Sequence, residues 1–571
     1  MNAERLLAHY AQLVDTPDAV SRLRRFVLDL AVRGKLVLQD PTDEPASELL
    51  KRIAKEKARL GIKYAASSLG EAEVPFGLPA GWTWSRVGEV CSKTGSGSTP
   101  RGGKEVYKPA GIPFLRSQNI YDDGLHLNDV AYIGLETHLR MNGTKVMSGD
   151  LLLNITGGSM GRCCRVPDDF NEANVSQHVA IIRPALRGIV DFLHRLILSP
   201  YFQAFIFDEQ TGAGRGGLPK NKMDQITVAL PPLAEQRRIV AKVDELMALC
   251  DRLEAARAEQ EATRDLLAAS SLARLDRPDP ETFPDDARFV LNALPALTAR
   301  PDQFKGLRQV ILNLAVRGKL VPQDPKDLPV SLPVEVCEES PASIPATWRY
   351  ARLASILKEE TRNGYSRRPD DAPAGIPILR ISAGTVRRDG IVAEEEHKRI
   401  SGIDEATRVQ YGLNPGDLLA CRFNGNKAFV GRLTIFSDYL GIRPIYPDKL
   451  IRVRVAPHLA MASYLRIAGD TESVRSEIQS ACATTVGNWG ISASNLKAIH
   501  FPLPPLAEQR RIAAKVDELM ALCDQLEASL VVGQRTRVTL LEALLHEALD
   551  SADCQDTLLS ATAVRPSVSA A

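Results

Sequence analysis

PPLAEQRRIVAKVDELMALCDRLEA, residues Pro231–Ala255, returns as PPLAEQRRIAAKVDELMALCDQLEA at Pro504–Ala528, with changes only at Val240/Ala513 and Arg252/Gln525. The copies lie 273 positions apart, close to half of the 571 residues. A second block, LRRFVLDLAVRGKLVLQDP at Leu23–Pro41, returns as LRQVILNLAVRGKLVPQDP at Leu307–Pro325, offset by 284. Each half runs from a GKLV block, through a long variable stretch, to PPLAEQ. A period this long means a tandem domain rather than a solenoid. Two equivalent units on one chain suggest a pseudo-twofold object that meets a twofold partner.

The PPLAEQ blocks read as helices, with Pro231 and Pro232 suited to a first turn. Ile239, Val243, Leu246, Cys250 and Leu253 form a heptad seam, and Leu267 keeps its register. The second copy gives Ile512, Val516, Leu519, Cys523 and Leu526, continued by Leu530, Leu540 and Leu544. A helix of about 40 residues spans roughly 60 Å. Two such helices most simply bury their stripes against each other as an antiparallel coiled coil with a variable globule at each end. The alternative is two separate helices, each packed on its own domain.

The variable stretches open alike, PAGWTWSRVGEV at Pro79–Val90 and PATWRYARLASI at Pro345–Ile356, and Trp82 and Trp348 read as core anchors. GIPFLRSQNI (Gly111–Ile120) echoes GIPILRISAG (Gly375–Gly384), and GDLLLNITGGSMGRCCRV (Gly149–Val166) echoes GDLLACRFNGNKAFVGRL (Gly416–Leu433). Short apolar runs divided by Gly, Pro and Asn read mostly as strands, with helices expected at Val190–Phe205 and Leu459–Ser480. Upstream, Leu6, Leu7 and Tyr10, then Phe26, Val27 and Leu30, recur at helical spacing, and Glu44–Lys57 is a charged helical run. The expected fold is α+β: two mainly β or α+β domains separated by two long helices in an antiparallel coiled coil, as a pseudo-twofold internal repeat. Its segments are 1–80 (helical, with the first GKLV block), 81–225 (first variable domain), 226–344 (central helix and second GKLV block), 345–498 (second variable domain) and 499–571 (C-terminal helix and tail).

Apolar content of 44% suits globular folding, and the length calls for three or four units. The net charge is +1, but its distribution is uneven. Trp82–Gln225 carries 16 basic against 14 acidic residues and Trp348–Lys497 carries 22 against 16, which leaves the duplicated frame and its flanks at −7. Basic variable regions on an acidic frame suit a reader of polyanions. The nine cysteines, Cys91, Cys163, Cys164, Cys250, Cys337, Cys421, Cys482, Cys523 and Cys554, show no zinc spacing and read as reduced thiols. No apolar run of 18 residues and no signal-peptide pattern occurs, so a cytoplasmic protein without membrane contact is expected.

Catalytic signals are weak. Gly212–Gly217 matches GxGxxG, but no core strand precedes it and Pro219 follows. Gly34-Lys35 and Gly318-Lys319 lack the other residues of a P-loop. His126, His138, His178, His194 and His458 stand singly and read as structural. There is no Asn/Asp-Pro-Pro-aromatic tetrad of an amino-methylating enzyme and no nuclease pattern of paired carboxylates with a lysine.

Over roughly residues 15–550 the chain resembles the specificity (S) subunit of Type I restriction–modification systems. The resemblance is carried by the run from Thr484 through LKAIHFPLPPLAEQ, a weaker version from Thr211, the paired GKLV blocks, and GSGSTP at Gly95–Pro100. It implies that each variable globule is a target recognition domain reading one half of a bipartite site on double-stranded DNA. It further implies that the constant helices space the globules and dock two modification (methyltransferase) subunits and the restriction (ATP-dependent translocase and nuclease) subunits. The chain itself is then expected to be no enzyme and to bind no cofactor, with S-adenosylmethionine, ATP and magnesium on the partners. The other class of reading is an enzyme with a fused, unrecognised methyltransferase or nuclease activity.

Base reading needs polar side chains on exposed loops, and phosphate contacts set the register. The candidates in the first domain are Ser98, Thr99, Arg101, Lys104, Asn119, Arg162, Arg215, Lys220 and Lys222. In the second they are Arg362, Asn363, Tyr365, Arg367, Arg368, Asn424, Asn426, Lys427, Asn488 and Trp489. No metal site is expected.

Overall fold

The computed structural model describes residues 16, 18–62, 74–100, 102–208, 217–276, 279, 281–331, 344–384, 392, 397–437, 443–485 and 487–550. Leu6, Leu7, Tyr10 and residues 212–216 of the GxGxxG match lie outside them. The chain divides into two units, one of residues 1–259 with 534–571, the other of 260–533.

In the first unit, helix α1 (Ala19–Val32) carries the GKLV block into the core. Strands β1 (Cys91–Ser96), β2 (Leu151–Asn154), β3 (Cys163–Arg165) and β4 (Val179–Pro184) form an antiparallel sheet in the order β3-β2-β4-β1. Alternation of side chains explains why Leu151, Leu152 and Leu153 of β2 are all apolar. Leu151 and Leu153 enter the core shared with α1, whereas Leu152 enters a second core with Cys164, Val179 and Ile181. A five-stranded sheet built around Ile112–Leu115 follows the sequence echo noted above.

The second unit repeats this plan. Helix α3 (Phe304–Val316) carries the second GKLV block, and β5 (Arg362–Asn363), β6 (Leu418–Cys421), β7 (Leu433–Ile435) and β8 (Leu450–Val453) pair in the order β7-β6-β8-β5. Leu418 and Ala420 face one core and Leu419 the other. The glycine of each GKLV block is held at φ +69° (Gly34) or +67° (Gly318), where a Cβ would stand 2.4 Å from Pro79 or Pro345. Only glycine fits both the conformation and the space.

Two long helices, α2 (Leu233–Asp276, 44 residues) and α4 (Leu506–Asp550, 45 residues), match the expected length. α2 begins in the first unit and ends in the second, and α4 begins in the second and ends in the first. Their seams divide between two jobs. Ile239 and Val243 are fully buried in the core with Trp82 and Phe192, and Leu246 packs against it. Ile512, Val516 and Cys523 are buried with Trp348 and Tyr464, and Leu519 packs there too. The early seam therefore faces its own unit, as in the alternative of two separate helices. Cys250 is buried, Leu253 half-buried and Leu526 exposed at 36%.

The far ends of the long helices complete the units. Leu541, Leu544 and Leu545 of α4 pack on Ala19 of α1, and Arg22 pairs with Glu542. In the second unit Ala268 and Leu275 of α2 pack with Val310 and Leu314 of α3, and Asn313 Nδ2 donates to Asp276 Oδ1 at 2.6 Å. Two expected helices prove broken. Val190–Phe205 becomes Val190–Leu198 and Pro200–Asp208, with Ser199 extended before proline. Leu459–Ser480 becomes Ala462–Gly469 and Glu472–Ser480, interrupted at the extended Thr471.

Candidate nucleic-acid interface

Each PPLAEQ block begins with a buried acid. Glu235 accepts from Trp82 Nε1 at 3.0 Å and from Gln39 Nε2 at 3.0 Å. Glu508 accepts from Trp348 Nε1 at 2.8 Å and from Gln323. Burial pushes both carboxyls above the ordinary glutamate range, opposed by these donors. Arg238–Asp43 and Arg511–Asp327, each at 2.6 Å, repeat alongside. These clamps tie the QDP loop, the opening tryptophan and the long helix together, so they orient each globule on its frame.

At one end of the four-stranded sheet, β2 stops at Asn154, β3 starts after Arg162, β4 starts after His178, and β1 stops at Ser96. Strand spacing of about 4.8 Å makes this row roughly 14 Å wide, comparable with the roughly 12 Å major groove of B-DNA. Gly97 is pressed on the backbone there, a Cβ standing 2.1 Å from Val175 O. The next two residues, Ser98 and Thr99, are exposed. Arg162 lies over the ring of Tyr121 at 4.6 Å, and His126 stacks on that ring at 4.1 Å. Lys220 and Lys222 are exposed on the short helix Lys220–Gln225, Lys220 paired with Asp224. Lys104 falls on the 3-10 turn Gly103–Val106, while Arg101 and Arg215 lie outside the described residues.

Asn119 requires correction. It is 1% exposed, its Oδ1 accepts from Arg116 N and its Nδ2 donates to His126 O. The side chain closes a turn and has no face left for DNA.

The matching end of the second sheet gathers more of the candidates. Gly364, next to Arg362 and Asn363, meets Pro447 O as Gly97 meets Val175 O. Tyr365 N donates to Tyr446 O, and Arg422 N to Lys449 O. The 362–368, 446–449 and 422–427 loops are therefore neighbours. A three-stranded sheet joins Phe423–Asn424, Asn488–Gly490 and Ala483–Thr485, so Asn424 stands opposite Trp489. Lys427 Nζ lies 4.5 Å from the Trp489 ring. Arg367, Arg368, Asn426 and Asn488 are exposed. Arg367 reaches Asp370 at 3.1 Å, and Asn424 and Asn426 accept backbone N–H groups within their own loop. Tyr365 packs edge-on to Tyr411 and is half-buried.

A family model described as the Type I restriction modification DNA specificity domain matches residues 79–264. The specificity subunit of the EcoEI enzyme of Escherichia coli is 29% identical over 576 residues, covering 93% of this chain and 94% of that protein. The EcoAI specificity subunit, also from Escherichia coli, is 28% identical over the same shares. Residues 79–264 thus match the Type I DNA specificity domain, and the chain is similar to Type I specificity subunits over 93% of its length. A chain from a solved type I R-M system, 20% identical and matched over 85% of this chain and 100% of its own, shares the fold at a TM-score of 0.50.

The row also contains residues that the sequence did not single out as contacts, Tyr121 and Lys449, together with His126, which reads from sequence as structural, and Arg422, which opens the candidate loop RFNGNK. Tyr121 and His126 sit some forty residues from Arg162 and meet it only through the fold. Arg422 and Lys449 flank the Phe423 ring at 4.7 and 5.0 Å. The signal was present in RFNGNK, where Arg422 and Phe423 precede the asparagines, but Lys449 had none. Of the lone histidines, His138 is buried between Asn174 and Glu172, and His194 donates to Cys163 O.

Proposed function

We propose that this chain acts as a specificity subunit and reads a bipartite site on double-stranded DNA, one half by each recognition domain (81–225 and 345–498). Its frame docks two modification subunits and the restriction subunits. S-adenosylmethionine, ATP and magnesium then act on those partners, and this chain supplies recognition only. One observation carries the reading: the same end of the same four-stranded sheet is presented twice, with unlike side chains each time. Conserved geometry with divergent polar loops is what two readers of different sequence require.

The test is to co-express the chain with its modification subunit and map N6-methyladenine across a genome. Two short specified halves around an unspecified spacer are expected, and a single uninterrupted motif refutes the reading. Exchanging residues 345–498 for the matching region of a related subunit is expected to change one half only. A change in both halves refutes independent reading.

A further inference from the structure

We infer that Arg162 reads a guanine in the half-site of the first recognition domain, a step that rests on the function proposed above. Its backbone is fixed to the sheet end. Asn154 N donates to Arg162 O at 2.8 Å, and Gly161 N donates to Asn154 O at 2.9 Å. Its guanidinium lies over Tyr121, whose ring is backed by stacking on His126 at 14° between planes. No hydrogen bond or ion pair from this guanidinium is found among the described residues. Asp122, the nearby acid, attracts Arg162 through its charge and accepts a hydrogen bond from Cys163 N at 3.0 Å.

A guanidinium stacked on a ring keeps its N–H groups in its own plane, directed past the ring edge. The contact with Tyr121 restrains the fork before DNA arrives, so less side-chain freedom remains to be lost on binding. Guanine offers the two major-groove acceptors, N7 and O6, that match a fork made only of donors. Adenine sets an N6 donor against it. The second domain provides the contrast. Arg432 holds the corresponding place, since Gly431 N donates to Cys421 O and Cys421 N to Arg432 O. Arg432, however, is engaged by Asp470 at 3.4 Å. Lys427 over Trp489 is a point charge without a fork, suited to phosphate.

The experiment is methylome sequencing of the co-expressed complex carrying Arg162→Lys, Arg162→Ala or Tyr121→Leu. The wild-type motif is expected to contain a guanine in one half. In Arg162→Lys that single pair loses roughly five- to 150-fold discrimination while all other positions persist. Arg162→Ala does the same, and Tyr121→Leu does so more weakly because the charge stays but its platform goes. A wild-type motif that is not split defeats the parent reading. A split motif without a guanine defeats this inference alone. So does an Arg162→Lys complex with an unchanged motif, or an Arg162→Ala complex that binds all duplexes equally less well with a flatter salt dependence, since that marks a phosphate contact. Loss of both half-sites in the lysine and alanine variants alike would assign Arg162 to the fold and also overturn it.

Discussion

Asp150→Ala and Asp417→Ala remove the same residue from the two copies, yet they are expected to differ in cost. Asp150 is 1% exposed and takes a two-pronged contact from Arg183, Nε to Oδ1 at 2.6 Å and Nη2 to Oδ2 at 2.8 Å. It also accepts from Met147 N at 2.7 Å. Asp417 repeats this with Arg454, both contacts at 2.6 Å, and with Asn414 N at 2.8 Å. The difference is a second acid. Arg454 Nη1 also meets Glu359 at 2.8 and 2.9 Å, whereas among the described residues Arg183 has only the carbonyl of Lys145 in addition. Removing one partner of a buried pair costs about 3–5 kcal/mol, much of it the charge left behind. Arg183 is partly solvated, which points to the lower end, about 3 kcal/mol. In the second unit Glu359 still answers Arg454, so the cost there is expected to be about 1–2 kcal/mol smaller. A chain of two units has no single unfolding free energy, so the assay is native-state hydrogen exchange of β2 amides against β6 amides. About 3 kcal/mol corresponds to roughly 150-fold faster exchange in β2. Equal acceleration in the two strands, or the larger effect from Asp417→Ala, would show that Glu359 does not substitute for the lost carboxylate.

Burial lowers the His194 imidazole to about 4. A depressed base is neutral in the fold while the unfolded chain takes up a proton below about 6.5, so stability present above that pH is lost as pH falls toward 4. The first unit is expected to lose up to ~3 kcal/mol over this window, read as pH-dependent exchange of its core amides, and His194→Gln is expected to flatten the slope. An unaltered slope would assign the acid sensitivity elsewhere. The ion pairs Arg195–Asp244 and Arg466–Asp517 are equivalent in the two repeats, so Leu465 takes the position that His194 has in the first unit, and the second unit is expected to lack this transition. Lys427→Ala is expected to weaken binding to all duplexes and to reduce the salt slope by about one, measured by titration at several salt concentrations. Altered base preference without a change in slope would make Lys427 a base reader instead.

Much of the fold was legible because it rests on periodicity. The two near-identical PPLAEQ runs, the GKLV pair and the apolar GDLLL and GDLLA segments mark the frame, and each becomes a long helix, a core helix or a doubly buried strand. Pro200 is a local signal for the break at Ser199, although the apolar spacing continues on either side of it. The site was less legible, because strand pairing decides it. Nothing local distinguishes Asn119, turned inward to close a loop, from Asn488, which is exposed. Nothing in PPLAEQ itself marks Glu235 as the buried acid over which Trp82 and Gln39 close. Arg162 and Tyr121 are joined only by the packing of the Ile120–Leu125 hairpin beside β3.

The two corresponding arginines show why one frame supports different readers. Arg162 and Arg432 share a backbone position defined by the same hydrogen bonds to β2 and β6. One lies over an aromatic ring, with no hydrogen bond or ion pair from its guanidinium among the described residues, and the other is drawn to Asp470. The choice depends on a few side chains around the arginine and on no change of backbone. The frame in turn owes its stability to contacts remote from this row: the tryptophan–glutamate clamps, the paired Asp150–Arg183 and Asp417–Arg454 bridges, and the cores under β2 and β6. Exposed side chains at the sheet end add little to folding, and substitutions at such sites usually stay within about 0.5 kcal/mol. The row can therefore vary in what it recognises while the clamps keep each globule in one orientation on its helix. Such a separation lets specificity change without refolding the subunit.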